Sequence, residues 1–204
     1  MRAPVKLHLA SSNPGKLKEY RVLAETASPS VSVELELLPE FTSLPTFDEN
    51  APTFAENAAG KALHYSSLCE GLVFADDSGL VVPALGGAPG VHSARYAGAD
   101  ATNSQRIEKL LNELRDKPGA ERSAHFVCAI ALARKARTLA VVTDRVDGEI
   151  LEAPRGAEGF GYDPVFYFPA LKKTFAELLP EEKNQHSHRG KAFRKLLAAL
   201  SSML

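Results

Sequence analysis

Strand patterns and helix patterns alternate along this chain, and their alternation limits the possible folds more than any other feature of the sequence. Val5 to Ala10 is a short apolar run typical of a buried strand, and Asn13 followed by Pro14 predicts a helix start. Val31 to Leu37 alternates apolar with polar residues, which is the period of a half-buried strand. Strands and helices in this order predict an α/β fold with a mixed central sheet flanked by helices.

Two capping boxes, in which a Thr and a later Glu or Gln satisfy each other's backbone N–H groups, predict two further helices. They are Thr53 with Glu56, opening a helix to about Leu68, and Thr102 with Gln105. The remaining predicted elements are a buried strand over residues 72–75, long strands over 126–133 and 138–146, a turn at Asp147-Gly148 before a strand over 149–151, loops over 86–98 and 156–164, and a final amphipathic helix through Phe193 and Leu200.

The charge balance is that of an ordinary globular chain without attraction for polyanions. The 204 residues carry 24 Lys and Arg against 25 Asp and Glu, a formal net charge of −1, and 45% are hydrophobic. We therefore expect a single domain over residues 1–204 and no nucleic-acid partner. No apolar run approaches the roughly 18 residues of a membrane span, so no membrane partner is expected. Cys69 and Cys128 lack metal-binding spacing, which favours reduced thiols in a cytoplasmic protein.

The first candidate binding segment lies where the first strand runs into the first helix. Free backbone N–H groups at a helix N-terminus, together with the helix dipole, bind anions, and Lys16 would add a full positive charge. Taken alone, the segment is better interpreted as an ordinary helix cap with a solvated lysine. Its residues are Ser11, Ser12, Asn13, Pro14, Gly15 and Lys16.

Two adjacent carboxylates, Asp76 and Asp77, follow the apolar strand over residues 72–75. Side chains alternate along a strand, so one carboxylate can bind a metal or activate water while the other anchors the loop. An acidic loop containing Asp48 and Glu49 would add hard oxygen ligands of the kind that Mg²⁺ prefers. We favour this interpretation over a simple capped turn at Ser78-Gly79.

A Gly-rich loop carries groups suited to a planar ligand. Its aromatic rings can cover the ligand's face and its Asp can accept from ring N–H groups, although a packed aromatic turn is about as plausible. The residues concerned are Phe160, Gly161, Tyr162 and Asp163.

A basic run over residues 183–191 is the fourth candidate, because three phosphates require several cations. The run includes Lys183, His188 and Arg189, while Lys61 shares a helix face with Asn57 four residues earlier. A solvated basic helix face is the commoner fate of such residues.

Six segments occur in a fixed order: Ala10–Lys16, Thr53–Ala58 with Lys61-Ala62, Ala75–Leu80, Gly86–Gly90 with Ser93–Gly98, Gly159–Pro164, and Glu182-Lys183 with Ser187–Arg189. Together they resemble the inosine triphosphate pyrophosphatase family, the bacterial dITP/XTP pyrophosphatases or Ham1-like proteins. The resemblance extends from about residue 5 to residue 200.

The resemblance implies a Mg²⁺-dependent hydrolase that converts ITP, dITP and XTP to the monophosphate and pyrophosphate. It also implies a homodimer whose active-site cleft separates the mixed-sheet core from a smaller lobe. Asp77 would be catalytic and a metal ligand, and the resemblance leaves open which of Asp48 and Glu49 also meets the metal. The implied substrate-binding residues are Ser11 to Lys16, Lys61, Ser78, Phe160 to Asp163, Lys183, His188 and Arg189.

The chemistry of the base adds one expectation. A site that donates to a 6-keto oxygen and accepts from N1–H rejects adenine, because adenine leaves the site's own polar groups unpaired. His188 and Arg189 are the candidate donors and Asp163 is a candidate acceptor. The alternatives are a pyrophosphatase for modified pyrimidine nucleotides and a nucleotide sensor without catalysis, although a sensor would not need the clustered carboxylates.

Overall fold

The computed structural model describes residues 3–26 and 31–203. Its strands are β1 (Val5–Leu9), β2 (Val33–Leu37), β3 (Leu72–Val81), β4 (Ser123–Arg134), β5 (Arg137–Ile150), β6 (Phe166–Phe168) and β7 (Lys173–Thr174). Its α-helices are α1 (Pro14–Thr26), α2 (Phe54–Ser66), α3 (Asn103–Glu113), α4 (Pro180–His186) and α5 (His188–Ser201). No helix in these ranges is long and apolar enough to cross a membrane.

The strands form one sheet in the order β2-β1-β3-β4-β5-β6-β7. β1 runs parallel to both β2 and β3, whereas every pairing from β3 to β7 is antiparallel. The predicted α/β fold with a mixed sheet is therefore confirmed.

Helices cover both faces of the sheet. On one face α1 and α5 bury Tyr20 and Phe193 against Phe74 of β3, with Tyr20 and Phe74 ring centroids 5.2 Å apart. On the other face α2 packs through Ala58 and Ala62, whose small side chains let the helix lie close to the sheet. A third cluster, around Phe126, Phe166 and Phe175, fills the space between α3 and the antiparallel half of the sheet.

β3 is longer than the sequence indicates. Its apolar run stops at Ala75, but the strand continues through Asp76 and Asp77 to Val81. The reason is the neighbouring strand, because β4 pairs with β3 from Val73 to Val81 and satisfies the backbone groups of the polar residues. The two carboxylates therefore lie on a hydrogen-bonded strand rather than in a loop.

The predicted turn at Asp147-Gly148 is wrong, because both residues lie inside β5 and pair with β4. The predicted short strand over residues 149–151 is the end of this same strand. Gly148 serves a different purpose from a turn. A Cβ there would lie 2.4 Å from the backbone oxygen of Tyr167, so the close approach of β6 requires a glycine.

The C-terminal basic run is also organised differently from a single exposed helix face. α4 ends at His186 and α5 begins at His188, with Ser187 capping α5 by accepting from the Gly190 N–H at 3.1 Å. Lys183, His188 and Arg189 are all buried. The interpretation of this run as a solvated basic helix face is wrong for these three residues, because each packs against a buried partner from elsewhere in the chain.

Candidate active site

The parallel pairing of β1 with β3 brings the first two candidate segments together. Leu9 lies opposite Phe74, and the Ala10 N–H donates to the Phe74 oxygen at 2.9 Å. The chain beyond β1 therefore leaves the sheet beside Asp76 and Asp77. This explains why two segments more than sixty residues apart in sequence share one site.

A cavity of ≈ 700 Å³ opens at this edge of the sheet. It is lined by all the sequence-predicted site residues except Asp48, namely Ser11 to Lys16, Glu49, Lys61, Asp77, Ser78, Phe160 to Asp163, Lys183, His188 and Arg189. The volume suits a nucleotide rather than a single small ion.

The two acidic-loop residues have different positions. Asp48 is exposed and lies outside the cavity lining, whereas Glu49 is half-buried and lines it. Within the described ranges, no three His, Cys, Asp or Glu side chains are grouped closely enough to hold a metal ion on their own.

The start of α1 offers fewer free donors than its sequence suggests. The Asn13 side-chain oxygen accepts from the N–H groups of Gly15, at 2.9 Å, and Lys16, at 3.2 Å. These backbone groups are therefore already paired, and the Lys16 ammonium is the principal positive group of this segment.

Asp76 and Asp77 point to opposite faces of β3, as alternation predicts. Asp76 is fully buried, and Lys16 Nζ lies 3.0 Å from its Oδ2. Although burial opposes ionisation, Lys16, Arg189 and Lys61 hold the pKa of Asp76 below its ordinary value. Asp76 is therefore an ionised anchor for the surrounding cations.

Asp77 has a contrasting environment. It is 5% exposed, faces the cavity, and accepts from Asn57 Nδ2 at 2.9 Å. Burial, with some repulsion from Glu49 and Asp76, raises the pKa of Asp77 to about 6 against the opposing effects of Asn57 and Lys16. A carboxylate with so little compensating charge is suited to accept a proton or bind a cation.

Lys61 of α2 is the second cation beside Asp77, and it forms an ion pair with Glu49. The pKa of Lys61 is raised despite burial, because Glu49, Asp76 and Asp77 favour its charged form. This lysine is therefore charged where it lines the cavity.

A buried carboxylate that the sequence analysis missed holds the C-terminal cations. Glu19 of α1 forms ion pairs with both Lys183 and Arg189, and Lys183 also lies 2.6 Å from Asp163 Oδ2. Burial would raise the pKa of Glu19, but Lys183 and Arg189 lower it below its ordinary value. We call Glu19, Asp76, Asp163, Lys183 and Arg189 the buried ion network.

The Arg189 guanidinium is already engaged within this network. Besides Glu19, it donates to Ser78 Oγ at 2.9 Å, and its Nε lies 3.5 Å from Asp76 Oδ2. The His188 ring makes fewer polar contacts than the Arg189 guanidinium, and its Nδ1 has no hydrogen-bond partner in the described part of the chain. Burial and then Arg189 and Lys183 lower the pKa of His188 well below its ordinary value, so the ring is neutral.

Aromatic rings line the cavity near the buried ion network. The Phe160 ring packs on Gly15, where a Cβ would lie 2.6 Å from the ring, and Lys183 Nζ lies 5.1 Å from the Phe160 centroid. His188 stacks on Phe126 with centroids 4.7 Å apart and planes 13° from parallel. This part of the cavity therefore combines a flat apolar surface with polar edges, as a purine base requires.

A family model described as the Ham1 family matches residues 7–199. The chain belongs to the Ham1 family. The resemblance inferred from the six sequence segments is thereby confirmed.

Related proteins match along nearly their full length. A Geobacillus kaustophilus protein named dITP/XTP pyrophosphatase is 53% identical over 188 residues, covering 92% of this chain and 90% of the relative. A Yersinia pseudotuberculosis protein of the same name is 45% identical over 197 residues, covering 96% and 98% of the two chains.

Solved structures agree with the sequence matches. A Ham1 protein from Coxiella burnetii has a TM-score of 0.84 at 41% identity, covering 97% of this chain and 99% of that one. The Staphylococcus aureus Ham1 protein has a TM-score of 0.83 at 38% identity, covering 98% and 100%. The mixed sheet flanked by helices is therefore the Ham1 fold.

Several lining residues of this Ham1 chain were not anticipated from its sequence. Phe41, Phe47 and Tyr65 form an aromatic wall beside Lys61, and Asn103 and Arg106 of α3 line the cavity as well. The second capping box located the start of α3 but gave no indication that its first turn faces a ligand cavity.

Proposed function

We propose that this chain is a Mg²⁺-dependent nucleoside triphosphate pyrophosphatase that hydrolyses dITP, XTP and ITP to the monophosphate and pyrophosphate. The observation that carries the proposal is Asp77, a buried carboxylate with a raised pKa that faces a nucleotide-sized cavity between Lys16 and Lys61. The relatives that are dITP/XTP pyrophosphatases by name, and that match along nearly their full length, suggest the reaction and the substrate class.

In the proposed reaction, water adds to the α-phosphorus and the bond to the bridging oxygen breaks. Asp77 accepts the proton of the attacking water, which requires it to be ionised at the start. Pyrophosphate leaves with the electron pair of the broken bond. Lys16 and Lys61 stabilise the negative charge on the phosphates, since both residues line the cavity.

The donors around Asp77 fit Mg²⁺. Asp77 and Glu49 are hard oxygen ligands at the same cavity, and their mutual repulsion is the kind that a divalent cation relieves. Mg²⁺ typically takes one or two protein carboxylates and completes its shell with water and substrate phosphates, which matches two available side chains. When bound, it would neutralise phosphate charge. Of the two acidic-loop candidates, Glu49 is the better one because Asp48 does not line the cavity.

Base selection would depend on His188 more than on Arg189. The Arg189 Nη1 and Nη2 groups donate to Glu19 and Ser78, and its Nε faces Asp76, whereas His188 is a neutral ring that lines the cavity and stacks on Phe126. A neutral ring that donates to a 6-keto oxygen would favour hypoxanthine and xanthine over adenine. Asp163 already accepts from the Phe160 N–H and from Lys183, which makes it a structural group first.

The decisive experiment measures pyrophosphate and monophosphate release from ITP, XTP, dITP, ATP, GTP and a modified pyrimidine triphosphate, with Mg²⁺ and with EDTA. We expect rapid Mg²⁺-dependent cleavage of the first three nucleotides. Preference for the pyrimidine would support the alternative pyrophosphatase, and binding without turnover would support a sensor.

Asp77→Asn tests the assignment of the catalytic carboxylate. The amide has nearly the same shape but is neither a base nor an anionic ligand, so kcat is expected to fall by at least about 100-fold. Thermal melting controls for the fold. Wild-type turnover by a normally folded variant would refute the role of Asp77.

We further propose that the protein is a cytoplasmic homodimer, as the family resemblance implies. Light scattering on the purified chain tests the dimer, and a monomer across micromolar concentrations would contradict it.

A further inference from the structure

Asn57 is a fully buried amide on α2 that contacts two separate parts of the site. Its Oδ1 accepts from the Ala51 N–H at 2.8 Å, and its Nδ2 donates to the Ala51 oxygen at 3.3 Å. The same Nδ2 donates to Asp77 Oδ2 at 2.9 Å. One side chain thus joins the backbone of the acidic loop, residues 45–51, to the carboxylate of β3.

The geometry points to Asn57 as a positioning residue: we propose that it fixes the Asp77 carboxylate and the acidic loop in one arrangement, so that Asp77 and Glu49 face the same substrate. The inference rests on the proposed role of Asp77. It concerns orientation, since Asn57 does not itself line the cavity.

The residue type supports this role. Asn is a poor helix former, and a buried amide is unfavourable unless its polar atoms are paired. An apolar side chain would serve both the helix and the core better. Among uncharged side chains only Asn and Gln supply both an acceptor and two donors, and Gln is one methylene too long for a fully buried site. The contacts to Ala51 and Asp77 use both functions of the amide.

Other residues also hold the acidic loop by hydrogen bonds and an ion pair, and the contacts of Asn57 add to these. Arg95 donates to the Glu49 backbone oxygen at 3.0 Å, and Lys61 forms an ion pair with the Glu49 side chain. His64 Nε2 lies 2.7 Å from the Pro45 oxygen. None of these contacts reaches Asp77, whereas Asn57 links the loop to it directly.

The test compares Asn57→Ala, Asn57→Asp and a control, Glu56→Ala. Glu56 is the exposed neighbour of Asn57 at the start of α2, where its backbone N–H donates to Thr53 Oγ1 at 3.2 Å and its Oε2 accepts from Thr53 Oγ1 at 2.7 Å. Its replacement weakens the same helix without touching Asp77. The measurements are kcat and KM for ITP, thermal melting, and hydrogen exchange of the peptide that contains Ala51.

For Asn57→Ala we expect kcat to fall by about 10- to 100-fold with KM changed less than about twofold, because Lys16 and Lys183 are untouched. Exchange at Ala51 should accelerate. Asn57→Asp keeps the acceptor for the Ala51 N–H but replaces the donor to Asp77 with a second carboxylate, so kcat should fall while Ala51 stays protected. Glu56→Ala should lower only the melting temperature. If Asn57→Ala does not fold, Asn57→Ser decides by the same kcat criterion, since it shortens the side chain without adding a charge beside Asp77.

Two outcomes would overturn the inference. One is wild-type kcat in both folded Asn57 variants, and the other is a loss of kcat no greater than that of Glu56→Ala. These failures are distinguishable from failure of the proposed function, which would instead appear as full activity in Asp77→Asn.

Discussion

Glu19→Gln removes one negative charge from the buried ion network while preserving the shape of the side chain. Removing one partner of a buried ion pair costs about 3–5 kcal/mol, because the remaining charge is left without compensation. In Glu19→Gln, Lys183 is still paired with Asp163 and Arg189 still lies beside Asp76. The free energy of unfolding should therefore fall by an amount near the lower limit, about 3 kcal/mol. For a chain of this length, that corresponds to a melting temperature lower by about 6–12 °C.

The assay is thermal and urea denaturation at pH 7, with Glu121→Gln as the matched control. Glu121 forms an exposed pair with Lys117 at 3.1 Å, and such pairs contribute about 0.5 kcal/mol or less. The pKa of Glu19 is below its ordinary value of 4.5, so its contribution is present above that pH and is lost as the pH falls through the folded-state pKa. The difference between wild type and Glu19→Gln should therefore shrink in acid. Equal losses for Glu19→Gln and Glu121→Gln would refute the reasoning.

Two further predictions concern the aromatic part of the site. Gly15→Ala places a Cβ 2.6 Å from the Phe160 ring, so the ring must move and kcat/KM for ITP should fall about 10- to 100-fold. The control is Gly119→Ala, which has open space around the new Cβ and should leave kcat/KM unchanged. If both variants match wild type, the contact of Phe160 with Gly15 does not shape the site. His188→Phe keeps the ring stack but cannot titrate. Below the ordinary His pKa of 6.5, the unfolded wild-type chain protonates the His188 ring but the folded chain does not. The free energy of unfolding of wild type should therefore fall by up to about 1.4 kcal/mol per pH unit relative to the variant. Parallel stability curves from pH 7 to pH 5 would show that His188 is not buried as a neutral ring.

The parts of the site that follow directly from a strand were predictable from sequence. Ser11 to Lys16 and Asp77 each continue an apolar run, and parallel strands bring their carboxyl ends to one edge of the sheet. Alternation along β3 also gave the opposite orientations of Asp76 and Asp77. These inferences need only the local period of the chain.

The parts that depend on distant partners were not predictable. Glu19 resembles any exposed helix carboxylate in sequence, because Lys183 and Arg189 follow it by 164 and 170 residues. The length of β3 is set by its pairing with β4, and Gly148 is required by β6 rather than by a turn. The different positions of Asp48 and Glu49 depend on an irregular loop, where no period indicates which side chain faces inward.

The buried ion network has a consequence for the order in which the molecule is completed during synthesis. A ribosome releases Glu19 and Asp76 long before Lys183 and Arg189, the cations that share their buried surroundings. Until residues 180–201 emerge, burying these carboxylates without their full set of counterions is unfavourable. We therefore expect a chain truncated before residue 180 to leave this region open to proteases, and the complete chain to protect it. The same ion pairs that organise the cavity thus make its closure depend on translation of the last two helices, α4 and α5.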